Sequence, residues 1–319
     1  MSHAALSPRQ LQTLRSQLPL FGTGSTPALA RRFCQFYGID FAERLPRVEY
    51  KVGRVESASY SLAIHSWIQP GATNNLLLVH GYFDHTGLFG KLAEWALTRG
   101  CNVLCVDLPG HGLSTGEPAV IDDFGDYSRA IADGLAVANL PALPLWTMAQ
   151  STGGAALVDY AAKYDWPFSA TVLLAPLVRP ARWFAIKAAH TLLSRLVDYV
   201  PRTFGPNSAD RDFLEFVKAD PLQSHRVSLR WLGALRRWLG SLRLADLGVG
   251  PALIIQGESD LTVDWQYNVG VISRLFPASR IVYLPGAGHH LAGESDEYRD
   301  RYLAEVSTWL TAKGIQLQD

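Results

Sequence analysis

The pentapeptide Ala149-Gln150-Ser151-Thr152-Gly153 can carry nucleophilic chemistry if Ser151 stands where a strand turns sharply into a helix. PLWTMAQ (144–150) reads as the strand, and the run opening with Gly153-Gly154 reads as the helix. A serine in so tight a turn needs small residues two positions before and after it, and Ala149 and Gly153 meet that need. The helix behind it also turns unpaired N–H groups toward the place where negative charge would develop. Serine favours helix N-caps for ordinary reasons, so the pentapeptide alone leaves a capping role open.

A serine hydroxyl is a poor nucleophile until a base takes its proton. GAGHHL (286–291) offers His289 and His290 just past the strand-like RIVYLP, and because they are adjacent only one can face the site. QGESDLTVD (256–264) offers Glu258, Asp260 and Asp264 beyond the run PALIIQG. Asp260 is favoured because it lies in the loop after the strand, whereas Asp264 is placed to cap or open the next helix. VLLAPL (172–177) ends without a carboxylate, which removes the other obvious position for an acid. Serine, aspartate and histidine follow one another in the chain order of a strand–helix-turn hydrolase. His80-Gly81-Tyr82-Phe83 follows the first central strand, and such a turn can aim a main-chain N–H into the site. The backbone amides of Tyr82 and Thr152 are therefore the expected oxyanion hole, with His80 packing the loop and the loop 107–114 shaping the surroundings.

These residues need a scaffold that brings strand ends together. VEYKVGRVESASYSLAIHSWI (48–68) is rich in β-formers and alternates around a Gly53 turn, which predicts antiparallel strands. Short apolar runs at 76–80, 101–108, 144–150, 169–177, 251–257 and 280–286 then alternate with amphipathic helical stretches, the last near 296–313. That rhythm predicts an α/β fold, with a mostly parallel central sheet flanked by helices. The expected organisation is an N-terminal helical extension over 1–45, a core formed by 46–177 and 251–319, and an inserted helical cap over 178–250. Within the cap, SLRWLGALRRWLGSLRL (228–244) sets Leu and Trp on one helical face and Arg largely on the others. This stripe predicts a helix packed over the sheet, and alternatively a lipid-facing surface for peripheral membrane contact. Trp183, Phe184 and HTLLSRLVDYV (190–200) are candidates to line the same apolar pocket.

Taken together the motifs resemble the monoacylglycerol lipase and lysophospholipase branch of the α/β-hydrolases, grouped with serine aminopeptidase-like (S33) enzymes. HGYFDHTGLF (80–89) is similar to that branch's HG-x-x-E-H-S-G-x-Y pattern, with Asp84 for Glu and Phe89 for Tyr. DLPGHGLSTG (107–116) resembles its loop after the following strand, and DPL (220–222) resembles a short motif of its caps. GAGHHLAGE (286–294) resembles G-A-x-H-x-L-x-x-E, which implies His289 rather than His290 as the base and Glu294 as the trailing acid. The sequence departs from the branch at Ala149, where the elbow glycine is usual, and at Thr152, where methionine is more common. The resemblance spans roughly residues 48–313 and implies an α/β-hydrolase fold and a serine carboxylic-ester hydrolase acting on a lipid-like ester.

The composition is compatible. Hydrophobic residues make up 48% of the 319, enough to build a large core, and the formal charge of zero gives no reason to expect nucleic acid as partner. Cys34, Cys101 and Cys105 lack CxxC spacing and suggest neither disulfide nor zinc. No metal or organic cofactor is required by the serine chemistry. The N-terminus lacks the apolar core of a signal peptide and no run is long enough to span a membrane, so the expectation is cytoplasmic. Two other readings use the same residues: an aminopeptidase or amidase, which needs a cap carboxylate to bind a free amino terminus, and a non-catalytic binding protein, whose kind usually loses a triad member. An aspartate nucleophile would instead have indicated a dehalogenase or epoxide hydrolase.

Overall fold

The computed structural model describes residues 4–318. Ten strands form: β1 (Glu49–Ser57), β2 (Tyr60–Ile68), β3 (Asn74–Val79), β4 (Cys101–Val106), β5 (Leu145–Gln150), β6 (Thr171–Leu174), β7 (Tyr199–Pro201), β8 (Arg226–Ser228), β9 (Leu253–Gly257) and β10 (Arg280–Leu284). Eight of them make one sheet in the order β1-β2-β4-β3-β5-β6-β9-β10. β2 pairs antiparallel with both β1 and β4, and every other pair is parallel. Strands β3 to β6 are buried almost throughout because helices cover both faces, which is why they read as continuous apolar runs. This is the α/β-hydrolase fold.

The hairpin differs from the sequence expectation. Its turn falls at Ala58-Ser59, and Gly53 sits mid-strand opposite Ile64. Glycine is needed there for a close approach: a Cβ would lie 2.7 Å from Phe21 Cα, where the N-terminal segment crosses β1. Arg54 N–H donates to Pro19 O and Phe21 N–H to Arg54 O, fixing that crossing. The helices Pro8–Gln17 and Ala28–Tyr37 are then drawn into the main core, with Leu14, Phe33 and Phe41 buried alongside Trp67 and Cys105.

Between β6 and β9 the chain rises into helices Trp183–Leu193, Arg211–Ala219 and Leu229–Ser241, with the antiparallel ribbon β7-β8 between them. Helix 229–241 is amphipathic and buries Leu229, Trp231, Leu232, Leu235 and Trp238. Trp231 stacks on Tyr82 at 3.8 Å between ring centroids and Trp238 on Phe124 at 4.6 Å, so the Trp/Leu stripe packs over the loops at the strand ends. Its Arg230 turns away to pair with Glu117 and Asp122. Helix 183–193 behaves oppositely. None of its residues is fully buried: Trp183 and Ile186 lean on the core, while residues 191–198 of the run expected to line a pocket face outward. Among the described residues, no helix is long and apolar enough to cross a membrane.

Candidate active site

Ser151 lies between the end of β5 and the helix Thr152–Ala161, with φ 52° and ψ −114°. Such a backbone costs a non-glycine residue about 1–3 kcal/mol and persists only where its surroundings over-determine it. Here the Ser151 N–H donates to Leu174 O and its carbonyl accepts from Leu177 and Gly154, tying the turn to both neighbouring segments. Gly153 is small by necessity, since a Cβ would approach Val79 O at 2.5 Å and His80 O at 2.7 Å. The serine hydroxyl makes no capping bond to the helix. The strained turn presents Oγ to solvent-side chemistry instead.

That Oγ lies 2.9 Å from His289 Nε2. His289 reaches it from the loop after β10, and its Nδ1 lies 2.7 Å from Asp260 Oδ2 in the loop after β9. Asp260 is anchored in turn: Oδ1 accepts the N–H groups of Thr262 (2.8 Å) and Val263 (3.1 Å), and Oδ2 accepts Gln256 Nε2 (3.2 Å). An ionised Asp260 requires the proton on Nδ1, which leaves the Nε2 lone pair facing the Ser151 hydroxyl. Burial alone would disfavour the imidazolium, but the charge and hydrogen bond of Asp260, with Asp84 further off, outweigh it and raise the His289 pKa. Burial would likewise push Asp260 up, yet His289 and the two amides hold it below the usual carboxylate range. The pair is thus built to favour a charge-separated imidazolium–carboxylate state.

Asp264 stands at the N-cap position of the helix Trp265–Leu275, where the sequence suggests it, but its carboxylate accepts from Arg179 Nε (2.9 Å) and an Nη (2.6 Å) instead of capping. Among the described residues the His289 ring pairs with Asp260 and Ser151 and not with Glu258. His290 points the other way, its Nε2 2.9 Å from Asp84 Oδ1.

The Gly81–Phe83 turn lies directly against Ser151: a Cβ on Gly81 would come within 3.3 Å of Ser151 Cβ. Phe83 adopts φ 69°, and among the described residues neither Tyr82 N–H nor Thr152 N–H donates a hydrogen bond. First-turn amides of a helix have no intrahelical acceptor, so Thr152 N–H is free by position. Behind the turn, His80 Nε2 accepts Leu108 N–H at 2.9 Å, which places its proton on Nδ1 for Gly81 O at 2.8 Å. Burial lowers the His80 pKa and keeps it neutral, so it packs the loop.

Other supporting residues carry little sequence signal. Gln150, beside Ser151, donates to His289 O and accepts Ala292 N–H, so strand β5 itself holds the histidine loop. Buried Glu294 accepts Gly288 N–H (2.7 Å) and Ala209 N–H (2.9 Å), joining that loop to the cap. Asp220 of the DPL motif, also buried, meets His85 Nε2 at 2.9 Å and accepts Tyr37 OH at 2.6 Å. The cap, the turn after β3 and the N-terminal segment are thereby pinned together.

A mostly parallel sheet with a serine at a positive-φ strand–helix turn, hydrogen-bonded to a histidine from the last strand's loop, defines a hydrolase of the α/β class. Residues 71–296 match the family described as serine aminopeptidase, S33, and the chain belongs to that family. Among its relatives is the monoglyceride lipase homolog of Monkeypox virus, 28% identical over 248 residues, covering 74% of this chain and 88% of the relative. The monoacylglycerol lipase of Mycolicibacterium smegmatis is 26% identical over 250 residues, covering 74% and 88%. In fold, the chain resembles a soluble variant of the Saccharomyces cerevisiae monoglyceride lipase, solved with a substrate analog (TM-score 0.72, 18% identity, 84% of this chain and 96% of that one).

Proposed function

We propose that the protein is a serine carboxylic-ester hydrolase that cleaves lipid-like esters of the monoacylglycerol or lysophospholipid type through an acyl-enzyme on Ser151. The observation that carries this reading is the unbroken relay Asp260–His289–Ser151, with contacts of 2.7 and 2.9 Å, at a serine held in a strained turn. His289 takes the Oγ proton as Ser151 attacks the ester carbonyl, and Asp260 stabilises the imidazolium. The Tyr82 and Thr152 amides receive the oxyanion, His289 returns the proton to the leaving alcohol, and a water repeats the sequence to free the acid. A preformed pair of undonated amides suits this role because it needs no reorganisation as charge develops.

The lipid-like substrate is supported by relatives named as monoacylglycerol lipases and by the surface of the cap. Phe184, Leu192 and Leu196 of the cap are 70%, 72% and 77% exposed, on and just beyond helix 183–193. An apolar row of this kind suits contact with a lipid surface. The membrane-facing element is accordingly helix 183–193, since the apolar stripe of helix 229–241 is buried. An amidase acting on free amino termini is not favoured, since the relatives are named as lipases and phospholipases; the buried cap carboxylate Asp220 is moreover engaged by His85 and Tyr37.

A hydrolysis screen over monoacylglycerols, lysophospholipids, short aryl esters and aminoacyl amides tests the assignment. Turnover of the lipid esters well above the amides is expected; preferential turnover of aminoacyl amides would refute it.

A further inference from the structure

Helix 183–193 carries cations as well as outward apolar residues. Its Lys187 joins Arg179 and Arg236 around a cleft of about 330 Å³, which Trp183, Tyr267 and Gly240 help to line. The cleft therefore lies between two cap helices and the core helix 265–275.

Its charges are unequally compensated. Arg179 is neutralised by Asp264 and lies flat over the Tyr267 ring at 3.5 Å. Arg236 donates only to neutral acceptors, His190 Nδ1 at 2.6 Å and Thr191 Oγ1 at 3.0 Å. His190 stays neutral there, its Nε2–H directed at Leu229 O (3.0 Å) and its pKa lowered by burial. Lys187 forms no ion pair among the described residues; its one charge contact is with the Phe184 ring, at 5.8 Å. Two uncompensated cations thus converge on a space where a Cβ added to Gly240 would meet nothing within 4 Å.

From this geometry we infer that the cleft takes the phosphate of an anionic phospholipid headgroup. The inference rests on the membrane contact proposed above and specifies which lipid supplies it. A phosphodiester carries the single negative charge and the acceptor oxygens that a guanidinium and an ammonium recognise together. The rim fits a bilayer source, since exposed Phe184 and half-exposed Tyr267 both flank Arg179, at 5.7 and 3.5 Å. With the apolar row seated among acyl chains, the cleft would lie at headgroup depth.

Flotation of the full chain with phosphatidylcholine vesicles, with and without phosphatidylglycerol, tests this. Tighter binding to the anionic vesicles is expected, and Lys187→Ala and Arg236→Gln should each weaken it about fivefold. Arg211→Ala makes the same charge change at the exposed start of the cap helix Arg211–Ala219, away from the cleft and the apolar row, and should have much less effect. Glycerophosphoglycerol, a soluble phosphodiester, should displace the wild-type protein better than inorganic phosphate at equal ionic strength, a comparison that needs no variant. An equal loss in Arg211→Ala would mean diffuse attraction and overturn the site, and equal competition by inorganic phosphate would overturn the lipid source. Equal binding to both vesicle types would refute the headgroup site while leaving membrane contact standing. Binding to neither would remove the membrane contact itself.

Discussion

His290 and Asp84 meet at 2.9 Å, and the second oxygen of Asp84 accepts the Gly81 N–H at 3.2 Å. Two adjacent histidines therefore serve opposite sides of one site. His289 faces the Ser151 hydroxyl, while His290, through Asp84, braces the Gly81 turn that packs against the same serine. His290 Nδ1 also accepts Gly293 N–H, so its proton sits on Nε2, directed at Asp84.

Removing Asp84 should loosen the oxyanion turn without touching the nucleophile. Asp84→Ala is expected to lower kcat about 10–100-fold with little change in KM, since displacing one oxyanion donor carries a penalty of that order or larger. Asp84→Glu, which restores the residue of the resembled pattern, should recover much of the loss. Steady-state kinetics on a soluble aryl ester reads this, and wild-type kcat in Asp84→Ala would show that the pair does not position the turn.

The same carboxylate sets an acid limit on stability. Burial opposes its ionisation, yet the hydrogen-bonded His290, with Arg202 further away, holds its pKa at about 2, below the ordinary 3.8. A depressed carboxylate contributes stability above its unfolded pKa and loses it as pH falls through the folded one. Wild type should exceed Asp84→Asn by about 2 kcal/mol at pH near 5.5, a gap that shrinks as pH falls from about 4 toward 2. Urea midpoints across that range measure it; a gap independent of pH would contradict the assignment.

Acylation requires neutral His289, whose pKa is raised by Asp260 against burial. kcat/KM should therefore fall as pH drops through a midpoint above 6.5, the ordinary histidine value. Asp260→Asn removes the raising charge and leaves burial, so the midpoint should move to lower pH while the plateau falls on the order of 10⁴-fold. A pH–rate profile whose midpoint does not move would mean another group controls the rate.

Replacing Phe184 and Leu192 together by serine should weaken vesicle binding and slow hydrolysis of vesicle-borne ester far more than hydrolysis of a soluble one. Each large apolar side chain withdrawn from water contributes about 1.5–3 kcal/mol, so the double variant should lose tenfold or more in partitioning. Unchanged partitioning would place the lipid contact elsewhere.

Much of this arrangement is legible in the sequence because it follows from local rules. Ser151 is marked by strand, turn and helix signals in one short window, and Asp260 by its place just past an apolar run. The choice of His289 over His290 rests on the resemblance, because adjacent residues share every local signal and only the tertiary position of Asp84 separates them. Gly53 misleads for a related reason. Glycine permits either a turn or a close backbone approach, and the segment that approaches it lies over thirty residues upstream. Helices 229–241 and 183–193 are both rich in large apolar residues, so which of them is buried depends on what lies beneath: Tyr82 and Phe124 under the first, solvent over the second.

The central claim is that Ser151 is a nucleophile activated by His289. Labelling the folded protein with a fluorophosphonate probe and locating the adduct by mass spectrometry tests it most directly. The account requires a single adduct on Ser151, lost in Ser151→Ala and strongly slowed in His289→Ala. Folded wild-type protein that takes up no label, or that carries it on another residue, would contradict it.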